Sequence, residues 1–154
     1  MRLNFFTPPP IPQILPDGLR AEVNKLQKLE TKQQVLDAAY GLLTQKYRGY
    51  RIKTVTRLPE LFDVDIDHMW TKEGFLHCTN LNYLLKILLL GSGQFIEDDV
   101  TFVWTLIYFW SPHEYVHVQL EDEWMDVDIW GKAYGIAFGD HARGLRSGTR
   151  TATE

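Results

Sequence analysis

A single thiol, Cys78, stands at the head of an apolar run, and two residues of complementary chemistry follow it, His113 and Asp128. A cysteine that opens a helix has unpaired backbone N–H groups and the positive end of the helix dipole beside its sulfur. Both favour the nucleophilic thiolate. A histidine can accept the thiol proton and return it to a leaving group, while a carboxylate on its second nitrogen fixes the tautomer. Together these types point to acyl transfer through a thioester. Asp126, two residues from Asp128 on the same strand face, is the one credible substitute for it. The plainer alternatives are a small buried hydrophobe at Cys78, a loop residue at His113 and a turn or cap residue at Asp128.

These residues act only if the fold unites them. Leu81, Leu84, Leu85, Leu88 and Leu89 form a wide apolar face at helical spacing, and Gly91-Ser92-Gly93 closes the run, so residues 78–90 read as a buried helix. Residues 100–110 are β-branched or aromatic on both alternate faces, the pattern of a central strand covered on both sides. After Pro112, Val116, Val118 and Leu120 alternate with Tyr115, His117 and Gln119 as a strand does. Residues 121–123 then turn the chain into 124–128, and a hairpin there would set Asp128 beside His113.

Upstream, Leu19, Val23, Leu26 and Leu29 mark one helix, and Val35, Ala38, Ala39, Leu42 and Leu43 a second. Thr31 is its expected N-cap, with Gln34 in capping-box position, and it should end near Tyr47-Arg48-Gly49. Helices followed by an antiparallel sheet predict an α+β fold. Residues 1–18 read as an extended Pro-rich arm, 19–142 as one catalytic domain, and 143–154 as a small, polar, disordered tail.

A rival motif overlies the histidine. His113-Glu114-Tyr115-Val116-His117 has the spacing of a zinc-peptidase helix, in which both histidines chelate the ion and Glu114 acts as base. Ser111 as N-cap, Pro112 at N1 and Glu114 as capping partner would suit a helix start. On a strand, however, the two histidines lie about 13 Å apart and cannot share a metal. The alternation through Leu120 favours the strand, so no metal or cofactor is expected.

The spacing of two blocks resembles the transglutaminase-like superfamily, whose core is papain-like. The first block has Cys78, then Leu84-Leu85 at the sixth and seventh positions after it, and Gly93 fifteen residues on. The second has His113-Glu114-Tyr115, then Trp124 eleven and Asp128 fifteen residues after the histidine. The resemblance covers residues 70–139 and more loosely the helix before it. It departs from the family at Leu76, where a Gly is usual, and at Ile129-Trp130-Gly131, where Pro-Thr often follows the Asp. It looks like a bacterial branch without assigned substrates.

The resemblance implies a papain-like fold and a Cys78-His113-Asp128 triad acting on peptide or glutamine amide bonds, with a protein or peptide as partner. The Cys78 backbone N–H would stabilise the oxyanion. Trp70 is a candidate cleft residue or indole donor to that oxyanion, His77 could tune the thiol, and Trp124 is a third candidate for substrate binding. Packing is the plainer role for Trp70, and the plainer reading of His77 is that it points away on the same turn. Hydrolysis is expected over cross-linking, because a small domain has little with which to exclude water.

Composition narrows the alternatives. The chain's 154 residues suit one domain, and 16 basic against 20 acidic residues, a net charge of −4, argue against a nucleic-acid surface. No apolar run reaches the roughly 18 residues of a membrane span, and residues 1–12 lack a signal-peptide core. One cysteine excludes an intrachain disulfide and suits a reducing, cytoplasmic setting. Asp63, Asp65 and Asp67 alternate like part of a calcium loop but lack its Gly and terminal Glu. His68 and His141 fall in no pattern.

Overall fold

The computed structural model describes residues 7–145. The chain is α+β. Helices α1 (Asp17–Leu26) and α2 (Lys32–Lys46) come first, then the short strand β1 (Tyr47–Arg48), helix α3 (Arg51–Thr56), a 3-10 turn over Leu58–Phe62, helix α4 (Ile66–Thr71) and strand β2 (Gly74–Phe75). Helix α5 (Cys78–Gly91) leads into an antiparallel sheet of β3 (Val100–Ile107), β4 (Ser111–Gln119) and β5 (Trp124–Val127), in the order β3-β4-β5. Strands β1 and β2 pair in parallel.

Helix α5 is the centre of the packing, touching α1, α2 and β4. Leu81, Leu84, Leu85, Ile87, Leu88 and Leu89 are all fully buried, and each such side chain contributes about 1.5–3 kcal/mol. The helix that carries the thiol is therefore a rigid base. Its run closes at Gly93, whose φ of 79° lies in the left-handed region that favours glycine. The capping box at α2 forms as expected: Gln34 N–H donates to Thr31 Oγ1, and the Gln34 side chain accepts from Thr31 N–H. Among the described residues, no helix is long and apolar enough to cross a membrane.

The sheet departs from expectation in two respects. β3 is an edge strand, not a central one, and β4 takes the middle. The apolar residues on both faces of β3 are half-buried, because Trp104 lines a cavity and the strand's outer edge meets Gly144, whose N–H donates to the Leu106 carbonyl. Second, Pro112 lies inside β4, opposite Leu106. It is tolerated because β5 pairs only with Val116–Gln119, leaving that end of β4 without a second neighbour. The β3–β4 turn forces Tyr108 and Phe109 to φ of 52° and 64°, a strain of about 1–3 kcal/mol each, and Tyr108 N–H is anchored on the Gly144 carbonyl.

The arm lies on the body where it is described: Tyr83 donates its hydroxyl to the Pro10 carbonyl, and Ile11 and Leu15 pack against the core. Residues 1–6 of the expected arm and 146–154 of the expected tail lie outside the described residues. Gly144, assigned to that tail by composition, is instead bridged to Ile107.

Candidate active site

His77 is the N-cap residue of α5 and Cys78 its first helical residue. The helix ladder begins with the bond from Leu81 N–H to the His77 carbonyl, so the N–H groups of residues 78–80 have no partner within the helix. The neighbours of Cys78 hold the preceding segment in place. His77 Nε2 donates to the Arg57 carbonyl (2.8 Å), Thr79 to that of Leu61 (3.1 Å) and Asn80 to that of Asp63 (2.9 Å).

His113 arrives on β4 and Asp128 one residue beyond β5. The pairing of Val116 with Val127, continued one step, puts Asp128 opposite Tyr115, and its carboxylate reaches diagonally to His113 on the same face. His113 Nε2 donates to Asp128 Oδ2 at 2.8 Å, and both side chains are buried. Asp128 also accepts from Gly131 N–H (2.7 Å) and Ala142 N–H (2.9 Å). Gly131 cannot carry a side chain, since a Cβ there would lie 2.6 Å from Asp128 Oδ2. Trp130 packs its ring 5.3 Å from that of His113. The Cys78 side chain lies near enough to the same imidazole to raise it, and with Nε2 on Asp128 the nitrogen left to face sulfur is Nδ1.

The electrostatics follow from burial. Desolvation alone would push His113 down, but the Asp128 charge and hydrogen bond, with a smaller share from Cys78, raise it to about 10. Desolvation likewise opposes ionisation of Asp128. The charge and hydrogen bond of His113 and the two backbone donors outweigh it and hold the carboxyl below its ordinary range. The pairing thus favours the charged form of His113, which is bonded to Asp128 and stands beside a thiol at a helix start. That arrangement can deliver a proton to an atom leaving the sulfur's target.

No family model, curated protein or solved structure matches this chain. The site must be read from its own geometry.

That geometry separates the two histidines of β4. His117 stands directly opposite Asp126 and bonds it through Nδ1 (2.7 Å). His141 bonds the other oxygen of Asp126 (2.8 Å). The strand thus sends His113 and His117 to different aspartates, while Glu114 bonds Asn82 on α5. The segment is a strand and not the helix that zinc chelation needs, and among the described residues no group of three His, Cys, Asp or Glu side chains is placed to hold a metal ion.

The remaining sequence candidates fall in different places. Trp124 stacks on His117 with ring centroids 4.7 Å apart. Trp70 packs against Gly18 and under the Lys46 ammonium. Neither contact involves Cys78. His77 does line the cavity beside Cys78, but Nε2 donates to a carbonyl and burial holds the ring neutral. Nδ1 is thus a bare acceptor, with no proton to offer an oxyanion. It has no hydrogen-bond partner among the described residues. The role this geometry supports for His77 is cap and cavity wall. The alternating aspartates are local too: Asp65 caps α4, and Asp63 bonds Asp65 N–H and the His68 ring.

Cys78 opens on a cavity of about 530 Å³. One wall is Val55, Leu58, Leu61 and Phe62, and the other is Trp104, Trp110 and Pro112. Sequence periodicity could not announce this wall, because residues 51–62 form two short helical turns with no buried residue. The Ala142 N–H and His141 contacts were equally invisible, as both come from irregular chain.

Glu114 is a buried acid outside the triad. Burial pushes it up to about 7, against smaller opposing pulls from Asn82 and His113. A carboxyl so raised loses stability as pH climbs from its ordinary 4.5 through 7. Glu114→Gln should therefore stabilise the protein by on the order of 2 kcal/mol at pH 8 and leave it nearly unchanged at pH 5. Urea melts at the two pH values measure this, and a destabilised variant at pH 8 would show that the carboxylate has a partner it needs.

Proposed function

We propose that this chain is a cysteine-dependent acyl-transfer enzyme acting on amide bonds of a protein or peptide, with a papain-like, transglutaminase-related fold. One observation carries the reading: a buried imidazole hydrogen-bonded to the buried Asp128 carboxylate, with the thiol that opens α5 close enough to add to its upward shift. The spacing of the Cys78 and His113 blocks, which resembles the transglutaminase-like superfamily, supports it.

In this reading Cys78 Sγ, as thiolate paired with the His113 imidazolium, attacks the carbonyl carbon. A carbon–sulfur bond forms and the carbonyl electrons move onto oxygen. The backbone N–H of Cys78, unused by the helix, faces that oxyanion; such a donor is worth roughly 3–4 kcal/mol. The carbon–nitrogen bond then breaks, and the departing amine takes the proton from His113. Water then adds to the thioester carbon and gives its proton to His113, and the carbon–sulfur bond breaks, releasing the acid and restoring the thiolate beside the imidazolium. Asp128 keeps Nε2 protonated throughout, so Nδ1 does the proton transfer. Hydrolysis is favoured over cross-linking because Val55, Phe62 and Trp110 at the cavity are exposed, which gives water a way to the thioester.

Thiol labelling tests the proposal. Iodoacetamide at pH 7 should alkylate Cys78 about tenfold or more faster in the folded protein than in the urea-unfolded chain, and His113→Gln should abolish the advantage. A thiol that labels only after unfolding would leave Cys78, His113 and Asp128 as structural residues of a binding module.

A further inference from the structure

The cavity beside Cys78 has walls of distinct chemistry. Val55, Leu58, Leu61 and Phe62 face Trp104 and Pro112 across it, and no Asp, Glu, Lys or Arg lines it among the described residues. Its polar groups are few: besides the His77 Nδ1 acceptor and the Ser111 hydroxyl, they are occupied elsewhere. The Thr54 hydroxyl donates to the Tyr50 carbonyl within α3, and His77 Nε2 donates to Arg57. A carboxamide or a charge placed here would give up hydrogen bonds to water and recover few of them.

The volume, about 530 Å³, lies in the range of roughly 300–1,000 Å³ typical of pockets that enclose whole ligand groups. It is far more than an acetyl group fills. The apolar surface continues outward: Val55 (67% exposed), Phe62 (60%) and Trp110 (76%) stand at the cavity with little cover. The wall is also fixed in advance, because the residues on either side of Cys78 hold the carbonyls of Arg57, Leu61 and Asp63. A prearranged pocket spends little binding energy on ordering itself.

The side of the carbonyl that enters the cavity follows from the proton path. The leaving group must stand within reach of His113, and His113 is not among the residues lining the cavity. The part of the substrate that stays on sulfur is then the part the cavity holds.

We infer that this cavity is an acyl pocket, and that the substrate's acyl portion is a bulky apolar group rather than a polar one such as a glutamine side chain. The inference rests on the acyl-transfer reading above and adds the substrate class. An apolar acyl group has two chemical sources, a straight aliphatic chain or the aromatic side chain of a peptide residue. Both present the same surface to these walls.

A series of p-nitrophenyl esters from acetyl to octanoyl, with the N-acetyl-phenylalanine and N-acetyl-glutamine esters, decides the matter. In each, the Cys78 carbon–sulfur bond forms, the ester carbon–oxygen bond breaks and p-nitrophenolate departs. The burst, less that of Cys78→Ala, reports acylation, and mass spectrometry locates the adduct. The acylation kcat/KM should rise about fourfold per methylene, roughly two-hundredfold from acetyl to hexanoyl, and the phenylalanine ester should exceed the glutamine ester. A steep aliphatic series with a slow phenylalanine ester selects the aliphatic source, and the reverse selects the peptide. Val55→Asp, at an exposed wall position that folding does not depend on, should flatten the slope. Cys78-dependent acylation that is level along the series, or best for acetyl or glutamine, overturns the pocket assignment alone. No Cys78-dependent acylation with any ester overturns the acyl-transfer reading and this inference with it.

Discussion

His113→Ala and His113→Gln should each lower single-turnover acylation of Cys78 by about three orders of magnitude or more. In the proposed mechanism the imidazole joins sulfur to carboxylate, and every proton passes through it. The Gln variant matters because Ala also strips a buried aspartate of its counter-charge. The wild-type fold in the Gln protein, checked by thermal melt, separates lost chemistry from lost structure. The Cys78/His113 double variant should be barely worse than Cys78→Ala, since residues of a triad act as a unit. His117→Gln is the control: it belongs to the Asp126 cluster and should change the rate several-fold at most. Equal damage from His113→Gln and His117→Gln would refute the assignment of the base.

Asp128→Ala should be the most destabilising change at this site, costing about 3–5 kcal/mol in urea unfolding. It removes the acceptor for His113 and for the N–H groups of Gly131 and Ala142 at once, leaving buried donors with nothing to bond. Asp128→Asn keeps an acceptor oxygen and should cost less stability, while slowing acylation because the amide can hold the wrong tautomer. The pair also imposes a pH dependence. The His113 share of stability is complete below its ordinary 6.5 and is lost as pH rises toward about 10. The Asp128 share is complete above its ordinary 3.8 and disappears below that, as pH falls through the depressed folded-state value. Urea midpoints should therefore be best between those ordinary values and should decline more steeply from pH 7 to pH 10 in wild type than in His113→Gln. Parallel declines would show that the imidazole is not held charged.

Much of this site was legible in the chain because its signals are local. Thr31 and Gln34 announce their cap, the leucines after Cys78 announce a buried helix, and the alternation from Tyr115 to Leu120 announces the strand that carries His113. Two residue spacings then brought Asp128 to the imidazole. What stayed hidden depends on contacts between distant segments. Residues on both faces of β3 have the pattern of a central strand, yet it is an edge strand on which Trp104 lines a cavity and Ile107 bridges to Gly144. Trp70 takes the plainer of its two readings, packing, because Gly18 and Lys46 claim its ring. His141 showed no pattern because its partner, Asp126, lies on another element, and the Ala142 N–H that steadies Asp128 carries no side-chain signature at all.

The three side chains that grip the Arg57, Leu61 and Asp63 carbonyls have a consequence for how this protein could diversify. They bind backbone, so they are indifferent to which side chains the wall displays, but they fix how many residues lie between successive grips. Point replacements at Val55, Leu58 or Phe62 can therefore recut the cavity while Cys78 stays in place. An insertion or deletion between residues 57 and 63 would put the wrong carbonyl opposite Thr79 or Asn80 and drag the head of α5 out of line with His113. Selection, natural or in the laboratory, is free to rewrite this wall letter by letter and is barred from changing its length.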